Sequence, residues 1–88
     1  MRLDKYLKVS RLIKRRTLAK EASEADRVLV NGKPAKPSKE VKIGDIISIA
    51  FGKRVITVKV TQIIESTKKN HAALMYELIS DDLIEIIN

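Results

Sequence analysis

The stretch RRTLAKEASEADRVLVNGK, residues 15–33, changes its period part-way along. Over residues 15–25 the apolar positions Leu18, Ala22 and Ala25 recur at i, i+4 and i+7. That spacing predicts a helix with a narrow stripe of small side chains suited to close helix packing. Val28-Leu29-Val30 then reads as a strand. Asn31-Gly32 follows it directly and is a favoured dipeptide for a two-residue type I′ turn, because both positions tolerate positive φ. A helix that runs straight into a strand and a tight turn sets an α+β class.

On another face of the same helix, Arg16 and Lys20 are one turn apart. Like charges at that spacing mildly destabilise an isolated helix, and an anionic partner reverses the sign. Glu24, a further turn along, is placed to relieve part of the repulsion by pairing with Lys20.

Toward the N-terminus, residues 2–10 read as a short helix. Leu3, Tyr6, Leu7 and Ser10 share one face, and Arg2, Lys5 and Lys8 another. Asp4 falls in the first turn, where the helix dipole favours an anion. Residues 11–14 form a basic connector whose Leu12 and Ile13 are expected in the core. Toward the C-terminus, Pro34 and Pro37 make residues 33–39 irregular or a sheet edge, and Gly44-Asp45 marks a turn. Residues 46–51 and 54–64 alternate as the two strands of a hairpin about Gly52-Lys53, with Ile56, Val58 and Val60 on one face. Ser66 and Thr67 are expected to cap a last helix over residues 68–79, built on Ala72, Leu74, Met75, Leu78 and Ile79. Residues 74–79 also fit a strand. The apolar tail, residues 83–87, adds a short strand or docks. The expected architecture is two N-terminal helices packed on a small, bent, mostly antiparallel sheet, with a C-terminal helix, in one domain spanning residues 1–88.

The charge is unevenly distributed. Of 18 Lys and Arg and 11 Asp and Glu, residues 1–20 hold eight cations and one anion, so this segment alone equals the net +7 of the chain. A foldable segment charged in this way points to a polyanion, nucleic acid first, as partner. Its cations are Arg2, Lys5, Lys8, Arg11, Lys14, Arg15, Arg16 and Lys20. With three aromatic residues, Tyr6, Phe51 and Tyr76, the chain lacks the stacking platforms that readers of single strands use. Recognition of folded RNA through shape and backbone is therefore expected.

Other chemistries find little support. The chain has no cysteine for disulfides or thiolate metal sites. His71, its single histidine, has no companion at metal-ligand spacing. Ser10, Ser38 and Ser48 lack a histidine partner for nucleophilic catalysis. Asp81-Asp82 and Glu85 read as a solvated tail, and Gly32, Gly44 and Gly52 are isolated, so no phosphate-cradling loop is formed. No run reaches the roughly 18 apolar residues of a membrane span, and the apolar face of the basic N-terminal helix is narrow for membrane-surface binding. The expectation is a cytoplasmic, non-catalytic monomer without cofactor, metal or membrane contact. A DNA-binding helix–turn–helix module is the competing reading, disfavoured by the strand and turn that follow the second helix.

Arg2-Leu3-Asp4-Lys5-Tyr6-Leu7, Arg15-Arg16-Thr17-Leu18-Ala19, Val28-Leu29-Val30-Asn31-Gly32-Lys33, Pro37-Ser38 and Gly44-Asp45, in this order, resemble the RNA-binding domain named after small-subunit ribosomal protein S-four. The match runs over residues 2–51. The resemblance implies an αL-type RNA-binding fold whose face holds Arg2, Lys5, Arg16, Thr17, Asn31, Gly32 and Lys33, with Asp4 orienting Arg2 or capping the helix. Two positions depart from the family pattern: Asp26 stands where Gly is usual before the first strand, and Ser23 where a branched apolar residue is common. Residues 8–20, Phe51-Gly52 and the segment Thr67-Lys68-Lys69 to Met75-Tyr76 are similar to a small standalone bacterial branch of the family. That resemblance implies a ribosome-associated quality-control factor. It would bind ribosomal RNA and peptidyl-tRNA on obstructed large subunits and work with RqcH in alanine tailing of stalled chains. A heat-shock factor that recycles subunits is the neighbouring possibility.

Overall fold

The computed structural model describes residues 1–65 and 69–83. Helices α1 (Leu3–Val9) and α2 (Arg16–Glu24) lead into β1 (Val28–Val30) and β2 (Lys33–Pro34). The hairpin β3 (Ile46–Phe51) and β4 (Arg54–Val60) follows. A single turn of helix, α3 (Lys69–Ala72), continues as a 3₁₀ turn (Ala73–Met75) into β5 (Tyr76–Leu83). The five strands form one antiparallel sheet in the order β2-β1-β3-β4-β5. Its core brings together Leu3, Tyr6 and Leu7 of α1, Ala19 of α2, Val28, Val30, Ile47, Ile49, Val58 and Val60 of the sheet, and Met75.

The turn chemistry is as the sequence predicts. Asn31 and Gly32 both take positive φ, 52° and 82°, and pair Val30 with Lys33. The Asn31 side chain then fixes the turn to the sheet: its Oδ1 accepts from the Ile46 N–H at 2.9 Å and its Nδ2 donates to Asp45 at 3.1 Å. Asp26 also occupies the left-handed region, φ 57°. Asp tolerates this conformation better than most residues. Ser23 is buried, and its hydroxyl donates to the Ala19 carbonyl at 2.9 Å, which satisfies a polar group in an apolar position.

Three expectations are corrected. First, α2 buries Ala19 and Ser23, with Ala22 partly covered, while Leu18 is 47% exposed and Ala25 is exposed. Ala19 and Ser23 are small and one turn apart, so they let α2 approach its neighbours closely, and Leu18 lies on a different side of the helix. Second, β4 stops at Val60 and does not reach Ile64. The Thr61 N–H and hydroxyl turn instead to the carbonyls of Met75 and Leu74 at 3.0 and 2.7 Å. Third, of the helix expected over residues 68–79, the described residues form only the turn Lys69–Ala72 and its 3₁₀ continuation, and the strand alternative holds from Tyr76: Tyr76–Leu83 pairs with β4 from Val60↔Tyr76 to Arg54↔Leu83. The open edge of β4 offers a full ladder of backbone hydrogen bonds, whereas a short helix pays its nucleation cost for few bonds. Asp81 and Asp82 are exposed, as expected, but belong to a strand and not to a tail. Ser66, Thr67 and Lys68, and the tail beyond Leu83 including Glu85, lie outside the described residues.

Among the described residues, no helix is long and apolar enough to cross a membrane, and no group of three or more His, Cys, Asp or Glu could hold a metal ion.

Candidate nucleic-acid interface

The site starts from a buried acid. Asp4, in the first turn of α1, has a side chain only 4% exposed. Arg2, immediately before α1, donates to it through Nε and Nη2 at 3.2 and 3.3 Å. Arg16, the first residue of α2, lies against the same carboxylate at 3.4 and 3.5 Å. Asp4 Oδ1 also accepts the Lys5 backbone N–H at 2.8 Å. One carboxylate therefore clasps two helices and holds two guanidinium groups, each still about half exposed. A guanidinium has five donors in a rigid fork, so each arginine keeps donors for a phosphate while its stem is fixed.

The N-terminus of α1 has no side-chain cap. Its Leu3 and Asp4 N–H groups are satisfied by the carbonyls of Lys39 and Pro37, at 2.8 and 3.1 Å. This ties the loop after β2 to the arginine clasp. Lys20, one turn along α2 from Arg16, lines a cleft of about 370 Å³ together with Arg2, Lys36 and Ser38. Lys33 lines a neighbouring cleft of about 390 Å³ with Lys36, Ser38 and Lys39.

Arg2, Arg16 and Lys20 come together, and Lys33 joins them through the shared walls of the two clefts. Thr17 is exposed beside Arg16. Lys5 is engaged elsewhere: its Nζ donates to Glu65 at 2.7 Å, and this hydrogen bond holds the Glu65 carboxyl below the usual carboxylate range. Lys8 and Arg11 are exposed at the C-terminal end of α1, where Arg11 takes a left-handed conformation, φ 63°. Arg15 is the N-cap of α2. Lys14 is separated from the cluster. It lines a third cleft with Leu18, Arg27 and Phe51, on the opposite side of α2 from Arg16 and Lys20. Both ends of the Asn31 amide are committed to β3 and Asp45, and Gly32 has open space around it.

Residues 1–47 match the S4 domain, a span that runs from α1 into the start of β3. The chain belongs to the S4 domain family. Among its relatives, the RQC P-site tRNA stabilizing factor of Streptococcus pneumoniae (strain ATCC BAA-255 / R6) is 54% identical over 85 residues, 97% of each chain. The factor of the same name from Bacillus subtilis (strain 168) is 51% identical over 82 residues, 93% of this chain and 95% of its own. The trimeric structure of Vibrio cholerae Heat Shock Protein 15 superposes with a TM-score of 0.84 at 34% identity, covering 91% of this chain and 82% of that one.

Sequence reasoning left Lys36 and Lys39 out of this S4 domain surface. The segment beyond residue 20 is neutral overall, so a count along the chain hides Lys36, which the fold brings to the cleft beside Arg2, and Lys39, which lines the adjoining one. The available signal is local: the two lysines flank Pro37-Ser38, one of the fragments that carry the family resemblance.

Proposed function

We propose that this chain is a non-catalytic RNA-binding factor of ribosome-associated quality control. It binds large ribosomal subunits obstructed by peptidyl-tRNA, contacts both ribosomal RNA and the tRNA, and supports alanine tailing of the stalled chain together with RqcH. The Arg2–Asp4–Arg16 clasp is the observation that supports this reading most directly. It presents two fixed guanidinium groups where a phosphate can meet both, with Lys20 alongside. Phosphate contacts position a protein without reading sequence. A rigid cationic face of this kind would hold a tRNA and an RNA helix in a set relation, which fits the name its relatives bear. Since the clasp is formed before RNA arrives, little further ordering of these arginines is needed on binding.

The test is binding of purified large subunits carrying peptidyl-tRNA, compared with empty subunits and intact ribosomes, by density-gradient co-migration. Preference for the obstructed subunit, lost in the Arg2→Ala/Arg16→Ala double variant, is the expected result. Equal recovery with all three particles would remove the quality-control reading. The similarity to Heat Shock Protein 15 favours a second reading, a factor that recycles subunits. Under that reading, alanine tailing in a reconstituted system would proceed unchanged without this chain.

A further inference from the structure

After β2 the chain buries Ala35 and Pro37 and exposes Lys36, Ser38 and Lys39. Pro37 and Ser38 form a turn, closed by the Lys39 N–H donating to the Lys36 carbonyl at 3.0 Å. Its position is fixed by backbone hydrogen bonds from Leu3 to Lys39 and from Asp4 to Pro37, and by the bond from Val41 to Met1 at 2.9 Å. The loop is therefore a rigid wall held by the same first turn of α1 that clasps the arginines. The clefts on either side of it share Lys36 and Ser38 as lining residues, so they adjoin along the loop. Among the described residues, no carboxylate lies within ion-pair distance of Lys20, Lys33, Lys36 or Lys39. By contrast, Lys5 is neutralised by Glu65. Glu24 and Asp26 stand at the α2 end of the first cleft and repel a phosphate there, which confines an anionic strand to the loop side.

We infer that the loop 33–39 forms the second wall of the RNA site: a trough, entered past Arg2 and Lys20, that takes one sugar-phosphate strand of a folded RNA, with Lys36 and Lys39 as phosphate contacts and the Ser38 hydroxyl as a neutral donor. The trough contains no aromatic side chain, so it holds backbone rather than stacked bases. The RNA runs across the clasp toward β2, and not along the cations of residues 8–14, whose Lys14 faces another cleft. This inference rests on the RNA-binding reading above and extends it to residues from the electrically neutral part of the chain.

The experiment measures affinity of the full chain for purified tRNA and for a ribosomal RNA stem-loop, from about 50 to 300 mM potassium chloride. Three variants are compared with the unmodified chain: Lys36→Glu/Lys39→Glu, Lys36→Ala/Lys39→Ala, and a control, Lys53→Glu/Lys59→Glu, which makes the same change of net charge on the β3–β4 hairpin. The loop glutamates are expected to weaken binding at least about tenfold relative to the control at about 100 mM salt. The loop alanines should flatten the plot of log K against log salt by about two. All side chains changed are exposed, and thermal melting checks that each variant folds. Loop variants no weaker than the control would overturn the trough. If Arg2→Ala and Arg16→Ala lose affinity in the same assay while the loop variants do not, the trough alone falls. If neither set loses affinity, the RNA-binding reading falls with it.

Discussion

Arg54–Asp81 and Arg2–Asp4–Arg16 use the same two side-chain types to different ends. Asp81 lies on the edge strand β5 with its side chain 32% exposed, and it pairs with one guanidinium from the strand beside it. The hydrogen bond from Arg54 holds its carboxyl below the usual range. Each charge is spent on the other, in contact with water, and the pair closes the end of a strand ladder. Asp4 is buried and serves two arginines that come from different helices. One negative charge cannot cancel two positive ones, so the clasp remains cationic, and burial of the acid leaves only the cations at the surface. Where the acid sits, more than how many charges are paired, decides whether an ion pair stabilises a strand or prepares a surface for an anion.

The largest effect that tests this contrast is expected from Asp4→Asn. The substitution keeps the shape but removes the charge that holds two guanidinium groups at 3.2–3.5 Å. Two arginines are left to repel each other beside a neutral amide. Stability should fall by about 2 kcal/mol, below the cost of breaking a fully buried pair because both arginines are half exposed. RNA affinity should fall about tenfold as the arginines lose their fixed positions. The direction of the second change is diagnostic, because Asp4→Asn raises the net charge to +8, and a mechanism based on charge alone predicts tighter binding. Urea titration and RNA binding on the same samples read both quantities, and tighter binding by the variant would contradict the clasp.

Next come Arg16→Ala and Arg2→Ala. Each should weaken RNA binding by about tenfold while the melting temperature changes little, since the remaining arginine still neutralises Asp4. Arg16→Lys should recover only part of the loss, because an ammonium cannot offer a fork to carboxylate and phosphate together. Full recovery by lysine would mean that Arg16 acts as a point charge only.

The sequence was most legible where local chemistry decides structure. Asn31-Gly32 specified its turn through φ, the alternation over residues 46–51 and 54–64 specified the hairpin although its second strand ends at Val60, and the N-terminal charge marked the region around Arg2 and Arg16. It was least legible where a distant partner decides. Residues 74–79 satisfy a helical pattern, and only the open edge of β4 selects the strand. Leu18 fits a buried stripe by spacing, but the tighter fit of Ala19 and Ser23 turns it to solvent. The same limit applies to the site. That Asp4 would be buried between two arginines depends on the crossing of α1 and α2, and Lys36 shares a cleft with Arg2 because the first turn of α1 is capped by the carbonyls of Pro37 and Lys39.

A smaller effect is expected at Tyr6, which joins the region of the clasp to the strand that bears Asp81. It is buried in α1, and its hydroxyl donates to the Met75 carbonyl at 2.6 Å, at the entry to β5. Burial pushes its phenol well above the ordinary value. The unfolded chain ionises first, from about pH 10, so this contribution is complete below that pH and declines as pH rises toward the folded value. Tyr6→Phe should cost about 1 kcal/mol at neutral pH, because Met75 keeps the Thr61 N–H as a second donor at 3.0 Å. It should also make the alkaline decline in stability shallower. An unchanged alkaline profile in the variant would show that another group controls that limb.

The smallest effect belongs to Arg54–Asp81. Exposed pairs are screened by salt and contribute little, so a double-mutant cycle with Arg54→Ala and Asp81→Ala should give a weak coupling that fades as salt is added. Its pH dependence has the opposite sign to that of Tyr6. With the Asp81 carboxyl depressed, the contribution is present above the unfolded value of about 3.9 and is lost as pH falls through the folded one. The sharper comparison is with RNA. Arg54→Ala and Arg16→Ala remove the same charge from the same chain, and a long-range field would respond to both alike. Binding that is insensitive to Arg54 and about tenfold weaker without Arg16 would locate the interaction at the clasp. Equal losses would instead mean that RNA responds to the charge of the molecule as a whole, and the burial of Asp4 would then be a matter of stability alone.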